Sequence, residues 1–235
     1  MIKFIPPDCL TCPSRTNPLL SCCPTDELVF IANNKGAQQY RKGETIFREG
    51  QLANGLHCVH SGKIKILKSS GEGKEQIVRL AKGGDMLGYH SLLSGVAYST
   101  SAVALDDCVL CYIPRADFFQ LWQSNLQFAA SLMQMLARAL KQAELKMLHL
   151  AYKPVRERLA EALLLLHQTF RQDGDTQPFA INIAREDLAS LVGTAKETAT
   201  RLLSELKEDG IIATRGSQVT ILRVDELSRL ATLYD

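Results

Sequence analysis

The chain lacks any uninterrupted apolar run near the ~18 residues that a membrane-spanning helix needs. Residues 1–8 show no charged leader followed by an apolar stretch and a cleavage site, so we expect no export. Ser-His-Asp signatures, phosphate-binding loops and paired-carboxylate motifs are also missing, which argues against an enzyme. The sequence therefore predicts a cytoplasmic protein with no catalytic residues and no membrane partner.

An excess of charge of one sign is missing as well. The net charge of +2 is too small to attract polyanions indiscriminately. From residue 153 to the end, eleven Lys and Arg stand against thirteen Asp and Glu. Any surface that binds nucleic acid must therefore be local.

The segment 185–206 predicts two short helices joined by a tight turn. Gly193 lies where the turn requires a positive φ, and Ala189 is small where the two helices cross. The apolar residues that would hold the pair together are Leu188, Val192, Ala199, Leu202 and Leu203. Behind them, residues 210–222 contain two β-type runs around an Arg-Gly-Ser turn, which is typical of a wing. This pattern indicates a winged helix-turn-helix; an ordinary helix hairpin is the alternative.

Double-stranded DNA is the partner that this motif favours. The candidate contact residues are Arg185, Thr194, Lys196, Glu197, Thr200, Arg201 and Arg215. We expect Glu197 to accept from a cytosine amino group, Arg201 to contact guanine or phosphate, and Thr200 to meet a thymine methyl. Glu197 can also pair with Arg201 one turn later. At the wing tip, Arg215 is placed to touch the DNA backbone.

Upstream of this motif, residues 35–114 contain short alternating segments punctuated by glycine, which predicts a small antiparallel barrel or roll. From about 115 the period becomes helical, and Pro154 ends the helix. A heptad seam runs along it through Met133, Leu136, Leu140, Ala143, Met147 and Leu150. We expect this dimer interface to pair with a second copy; a helix packed on its own domain is the alternative.

The predicted fold class is α+β, with four regions. These are a cysteine-bearing amino-terminal arm (1–34), a β-roll sensor domain (35–114), a dimerisation helix region (115–153) and a winged helix-turn-helix domain (154–235). A second helix, at about 155–171, should lead into the DNA-binding unit.

Three segments carry a family resemblance. They are Tyr40-Arg-Lys-Gly43-Glu-Thr-Ile-Phe-Arg-Glu-Gly50, His60-Ser-Gly62-Lys-Ile-Lys-Ile and Gly83-Gly84-Asp85-Met-Leu-Gly88. With the order roll, long helix and winged helix-turn-helix, the chain resembles the CRP/FNR family of bacterial transcription regulators. The resemblance implies a cyclic-nucleotide-binding-like roll, a homodimer on palindromic operators and contact with RNA polymerase. Glu197-Thr-Ala-Thr200-Arg201 matches the family's recognition-helix pattern.

The residues that hold cyclic AMP in part of this family are not matched. Those members have a Glu after the glycine at the position of Gly88 and an Arg some ten residues later. Here Tyr89 follows, and no Lys or Arg lies between Lys82 and Arg115. A buried phosphate would forfeit charge-assisted hydrogen bonds worth about 1.5–3 kcal/mol each. We expect no cyclic nucleotide, and His90 is the only candidate cation that we identify nearby.

The cysteines suggest a different signal. Cys9-Leu-Thr-Cys12 puts two thiolates on one side of a turn, which suits soft metals or an iron–sulfur cluster. Oxygen-sensing members related to the fumarate-and-nitrate-reductase regulator take three ligands from the arm and a fourth from a Cys ahead of an x-Ile-Pro step. Cys111-Tyr-Ile-Pro matches that step. The resemblance thus implies a [4Fe–4S] cluster held by Cys9, Cys12, Cys22 and Cys111, with Cys23 as the alternative to Cys22.

Other hypotheses remain open for the sensing half. Zinc bound by four thiolates, a thiol–disulfide switch, haem or a small molecule in the roll would each suit the same fold. His57 and His60 should point to opposite faces of a strand, which argues against a shared metal. Cys58 and Cys108 are expected to be buried small hydrophobes. The leading hypothesis is control of DNA binding by oxygen or redox state.

Overall fold

A computed structural model describes residues 6–12, 15, 17–71, 73–171, 174 and 178–232. Within these ranges, no helix is both long and apolar enough to cross a membrane. The chain forms two compact units. Unit 1 comprises Met1–Lys68 and Arg79–Lys141, and unit 2 comprises Ser69–Val78 and Gln142–Asp235.

The β-roll consists of two four-stranded sheets. The first has the order β1 (Gly36–Tyr40), β8 (Cys108–Pro114), β3 (Gly55–Ser61) and β6 (Met86–Leu87). The second has the order β2 (Thr45–Phe47), β7 (Ser101–Ala104), β4 (Lys63–Ser69) and β5 (Glu75–Lys82). The predicted antiparallel roll is confirmed, since β8 pairs antiparallel with both β1 and β3.

The first sheet is covered on both faces, so the alternating side chains of its strands enter two different cores. On β8, Cys108 and Leu110 join the core between the sheets, whereas Cys111 and Ile113 join a second core. This second core also receives Leu19, Leu20, Leu28, Ile31, Leu56, Phe118 and Phe128. Cys111 therefore faces the helices.

The amino-terminal region is more structured than an arm. It forms α1 (Pro18–Ser21) and α2 (Thr25–Asn34), and their buried leucines enter the second core. The side chain of Asn17 caps α1 by accepting a hydrogen bond from the backbone N–H of Leu19 at 2.9 Å. Packing against the sheet thus gives the region a defined path.

Helices α3 (Tyr89–Ser94), α4 (Arg115–Ser124) and α5 (Leu126–Tyr152) follow. The sequence predicted one helical region over 115–153, but the structure breaks it at Asn125. The Asn125 side chain accepts hydrogen bonds from the backbone N–H groups of Gln127 and Phe128, both at 3.0 Å, and so starts α5. Helical periodicity runs through this cap and hides it.

Unit 2 contains the predicted winged helix-turn-helix. Its elements are α6 (Val155–Phe170), β9 (Ala180–Asn182), α7 (Arg185–Val192), α8 (Lys196–Glu208), β10 (Ile212–Arg215), β11 (Gln218–Ile221) and α9 (Val224–Ala231). Gly193 has φ +73° as the turn requires, and the five apolar residues predicted to lock the helices are all buried. Strand β9 joins the two wing strands in a three-stranded sheet of order β10-β11-β9. The predicted fold class is confirmed.

Part of β5 also packs within unit 2, against α7. The Ser190 hydroxyl donates to the carbonyl of Glu75 at 2.8 Å and accepts from the backbone N–H of Ile77 at 2.9 Å. The Nζ of Lys146 donates to the carbonyl of Ile77 at 2.7 Å. This segment is therefore tied to both α5 and α7.

Candidate DNA-binding surface and cysteine cluster

Helix α8 is amphipathic, and its polar face is free of the core. Lys196, Glu197, Thr200 and Arg201 are exposed, while Ala199, Leu202, Leu203 and Leu206 on the opposite side are buried. The exposed residues recur at three- and four-residue spacing, so they share one face of the helix. Four of the predicted DNA-contact residues thus form one continuous surface.

The charged side chains of this surface form ion pairs with neighbouring carboxylates. Lys196 pairs with Glu186 on α7, which raises the pKa of the Lys196 ammonium. Arg201 pairs with Glu205 one turn later rather than with Glu197, contrary to the sequence expectation. The Thr200 hydroxyl donates to the carbonyl of Lys196 at 2.8 Å. DNA phosphates would have to compete with exposed ion pairs, which contribute little to stability.

The other three predicted contacts lie at the turn and the wing. The guanidinium of Arg185 donates through Nη2 to the carbonyl of Gly216 at 2.9 Å, joining α7 to the wing turn. Arg215 ends β10 and is exposed beside that turn. Thr194 is half-buried in the helix-turn-helix turn, and its backbone N–H donates to the carbonyl of Ala189 at 3.1 Å. Arg185 therefore positions the wing whether or not it reaches DNA.

In unit 1, the first sheet gathers four cysteines on its helix-covered face. Cys58 on β3 is the register partner of Cys111 on β8. Cys9 shares the core that holds both, and Cys12 approaches the same strand through His60, whose Nδ1 lies 3.1 Å from the Cys12 Sγ. Burial raises the pKa of the Cys111 thiol, and the neighbouring Cys9 and Cys12 add to that rise. The structure thus brings the two CxxC cysteines into the neighbourhood of Cys111.

A lysine accompanies these thiols. The Nζ of Lys35 lies 3.2 Å from the Cys9 Sγ and also contacts the carbonyl of Pro7. Burial lowers the pKa of Lys35, but its contact with Cys9 and the charges of Cys111, Cys9 and Cys12 outweigh that and raise it overall. Lys35 is therefore a cation placed to compensate thiolate charge, and no sequence pattern points to it.

Cys22 and Cys23 lie in different surroundings, at the junction of α1 and α2. Both thiols contact the carbonyl of Leu19, at 3.3 Å and 3.6 Å. Burial raises the pKa of the Cys23 thiol, and the charges of Cys22 and Glu27 raise it further. The amide of Asn125 donates to the Cys22 carbonyl at 3.4 Å and to the Glu27 carboxylate at 2.7 Å. Cys23 enters the same buried core as Cys111, but among the residues that the structure describes no hydrogen bond joins either thiol of this pair to Cys111.

The donor chemistry around Cys111 fits an iron–sulfur cluster, because four thiols and one ammonium share the neighbourhood. For the residues described, no three His, Cys, Asp or Glu side chains stand in ligating geometry for a single metal ion. Cys108 lies on the opposite face of β8, where its thiol contacts the carbonyl of Asp106 at 3.1 Å. Its expected role as a buried small hydrophobe agrees with this position.

The two strand histidines separate as expected. His57 lies between the rings of Phe47 and Tyr112, with centroid distances of 5.4 Å and 5.1 Å. Burial lowers the pKa of His57 to about 4. His60 instead contacts Cys12 on the other face.

The segment that corresponds to the family's phosphate cassette is filled by aromatic side chains. The ring of Tyr98 stacks on Phe47 with a centroid distance of 4.1 Å. His90 stacks on Tyr89. The sequence indicated His90 as the only candidate cation nearby, and the structure corrects this by adding Arg79. The Arg79 guanidinium lies 6.0 Å from the Tyr89 ring centroid, and burial together with the Arg79 charge lowers the pKa of His90. Arg79 comes from β5, which precedes Lys82 in the chain, and its guanidinium lies 3.8 Å from the Asp85 carboxylate.

Comparison with known proteins agrees with this architecture. Residues 37–125 match the family model of the cyclic nucleotide-binding domain, and residues 157–230 match that of the Crp-like helix-turn-helix domain. The cyclic AMP receptor protein of Thermus thermophilus is 33% identical to the chain, over 92% of the chain and 98% of that protein. The chain belongs to the CRP/FNR family.

Two further relatives place it within the family. The fumarate and nitrate reduction regulatory protein of Escherichia coli is 30% identical to this chain. The match covers 88% of this chain and 82% of the Escherichia coli protein. The structure of FixK2 from Bradyrhizobium japonicum superposes with a TM-score of 0.73 at 28% identity, covering 83% of the chain and 96% of FixK2. Members of the CRP/FNR family are transcription regulators and not enzymes, as the sequence predicted.

Proposed function

We propose that this CRP/FNR protein is a homodimeric regulator that binds palindromic DNA operators and responds to oxygen or redox state through a [4Fe–4S] cluster. The observation that carries the sensing half is the meeting of Cys9 and Cys12 with Cys111 beside Lys35. One sulfur pair comes from the amino-terminal region and one thiol from the end of the roll. A ligand held by all of them would tie these two parts of unit 1 together.

A bound cluster supplies an oxidisable iron–sulfur group whose ligands are cysteine thiolates. The chain's own part is to release the thiol protons and to balance the resulting charge with the Lys35 ammonium. The sequence leaves the third arm ligand open between Cys22 and Cys23. Loss of the thiolate bonds would free residues 9–12 from β8. A difference of a few kcal/mol between the two forms is enough to shift the population.

The dimer rests on the seam along α5. Met133, Leu140, Ala143, Met147 and Leu150 are exposed in the single chain, and Leu136 is half-buried. An exposed apolar heptad seam is what a helix pairing with its own copy presents. In a two-fold dimer, two α8 helices would address successive major grooves about 34 Å apart. We also propose RNA polymerase as a partner, by analogy with the family.

Cyclic nucleotide is not the proposed signal. The stacked rings of Tyr98 and Phe47 lie in the core of the roll beside this segment, and Arg79, which lies over the Tyr89 ring, faces an aspartate. Buried phosphate needs a free cationic partner, which this cassette does not offer in the part of the roll that the structure describes.

Purification and reconstitution under nitrogen test the proposal. We expect a coloured dimer that contains iron and acid-labile sulfide and fades in air. Anaerobic selection from a random DNA library should yield palindromic sites, and exposure to air should weaken binding to them. A colourless protein with one zinc per chain, or cysteines that pair in air without iron, would replace the cluster with zinc or a thiol switch. A monomer with no sequence preference would overturn the DNA-binding half.

A further inference from the structure

We propose that Cys58 supplies the fourth thiolate of the cluster, and that neither Cys22 nor Cys23 does. This inference rests on the cluster proposed above and identifies its ligand set. The sequence had assigned Cys58 to the core as a small hydrophobe.

The sheet places Cys58 beside Cys111. The two residues face each other across β3 and β8, and directly opposed antiparallel residues have Cβ atoms only about 4.5–5.5 Å apart. Both side chains enter the same core, on the face covered by the amino-terminal helices. Two of the four thiols therefore stand on a rigid platform formed by the roll itself.

The CxxC pair is fastened to the same platform at two points. Cys12 contacts His60, which lies two residues after Cys58 at an irregularity in the β3–β8 register. Cys9 contacts Lys35, which directly precedes β1, and β1 flanks β8 on its other side. The arrangement brackets Cys58 and Cys111 between the points at which Cys9 and Cys12 are held.

The burial of Cys58 suits the same role. Its residue is only 7% exposed, and it lies in the core that Cys9 and Cys111 also enter. A thiol enclosed in this way gives up its proton readily only where a cation is present to bind the thiolate. Coordination to the cluster would supply that cation.

Cys22 and Cys23 have the wrong neighbours for this role. Their thiols contact the carbonyl of Leu19, at 3.3 Å and 3.6 Å, and line a surface hollow together with Glu27. The Glu27 carboxylate opposes formation of a further negative charge beside them. The short helix α1 and its cap at Asn17 set the path of the chain between Cys12 and Cys22.

Cysteine variants of the full chain, reconstituted with ferrous iron and sulfide under nitrogen, test the assignment. The variants are Cys58→Ala, Cys111→Ala, Cys108→Ala and the double substitution Cys22→Ser/Cys23→Ala. The readouts are iron and acid-labile sulfide per chain, the Mössbauer spectrum and circular dichroism. Cys108→Ala is the matched control, because it removes a buried thiol from the opposite face of the same strand as Cys111.

We expect about four irons and four sulfides per chain in the wild type, as the cluster type requires. The double variant and Cys108→Ala should retain them, whereas Cys58→Ala and Cys111→Ala should lose at least half. If Cys58→Ala does not fold, the Cys22→Ser/Cys23→Ala variant and the Cys108→Ala variant still test the assignment. Full iron in each of these two proteins leaves Cys58 as the only remaining cysteine that can be the fourth ligand. A loaded Cys58→Ala with an empty double variant overturns the inference and leaves the proposed function standing. A wild type without iron and sulfide overturns both.

Discussion

Arg185 holds the wing of the DNA-binding domain through its hydrogen bond to the carbonyl of Gly216 at 2.9 Å. The Nη1 of the same guanidinium is buried, with no hydrogen-bond partner among the residues that the structure describes. Arg215, next to the same turn, is exposed. One arginine therefore shapes the wing, and the other is available to a ligand.

This difference predicts separate effects for the two arginines. Arg215→Ala should weaken binding to all DNA sequences alike and reduce the slope of log K against log salt by about 1, because one phosphate contact is lost. Its melting temperature should not change. Arg185→Ala should lower both DNA affinity and the melting temperature of unit 2. Salt titrations of DNA binding and calorimetry measure these effects, and equal melting temperatures for the two variants would contradict the assigned roles.

Arg201→Ala should relax sequence preference. If Arg201 reads a base edge, its loss removes about 1–3 kcal/mol of discrimination at one base pair of each half-site. Lys207→Ala is the control, since Lys207 is exposed in the last turn of the same helix and carries the same charge. Competition binding with single-base operator variants provides the measurement. An unchanged base preference in Arg201→Ala would remove this residue from readout.

The helix-turn-helix could be predicted from the sequence because its determinants are local. Gly193, the buried apolar positions and the wing turn all lie within about forty residues of chain, at spacings that helix and hairpin geometry dictate. The break at Asn125 was not predicted, because an asparagine inside a periodic apolar run resembles any other polar position. The packing of α1 and α2 was also missed, since it depends on a sheet distant in sequence.

The thiol group was only partly predictable for the same reason. The CxxC spacing and the Cys-x-Ile-Pro step are sequence patterns, and they identified Cys9, Cys12 and Cys111. Cys58 enters through the register of β3 against β8, which no local pattern reveals. Lys35 and Arg79 were overlooked for the same reason, because each acts on residues far away in the chain.

The seam on α5 predicts a change of oligomeric state. Leu140→Glu would bury an unpaired carboxylate from each copy in the dimer, and a cost of at least ~3 kcal/mol should raise the dimer dissociation constant more than a hundredfold. Leu145→Glu is the matched control. Leu145 is also exposed, but five residues further along it lies on another side of the helix. Sedimentation equilibrium should separate the two variants, and a dimeric Leu140→Glu protein would rule out this seam.

The turn glycines predict graded losses of stability. Gly193→Ala would strain a backbone with φ +73° and place a Cβ 2.8 Å from Cδ2 of Leu150 and 3.3 Å from Nη1 of Arg158. Gly216→Ala, at φ +59° with nothing within 4 Å, isolates the backbone strain. Backbone strain of this kind costs about 1–2 kcal/mol. We therefore expect Gly193→Ala to lose more unfolding free energy than Gly216→Ala. Urea unfolding of both variants tests the order, and equal losses would show that the side-chain contacts yield freely.

Lys146 predicts a pH dependence of stability. Burial lowers its pKa from the usual 10.5 to about 8, so the folded chain releases this proton before the unfolded chain does. Between these two values the unfolded state binds more protons, and rising pH therefore stabilises the fold by up to about 3 kcal/mol. Lys146→Met should lack this gain, whereas Lys141→Met, which removes an exposed lysine from the same helix, should follow the wild type. Unfolding free energies measured from pH 7 upwards check this, and parallel curves for the wild type and Lys146→Met would show that Lys146 keeps an ordinary pKa.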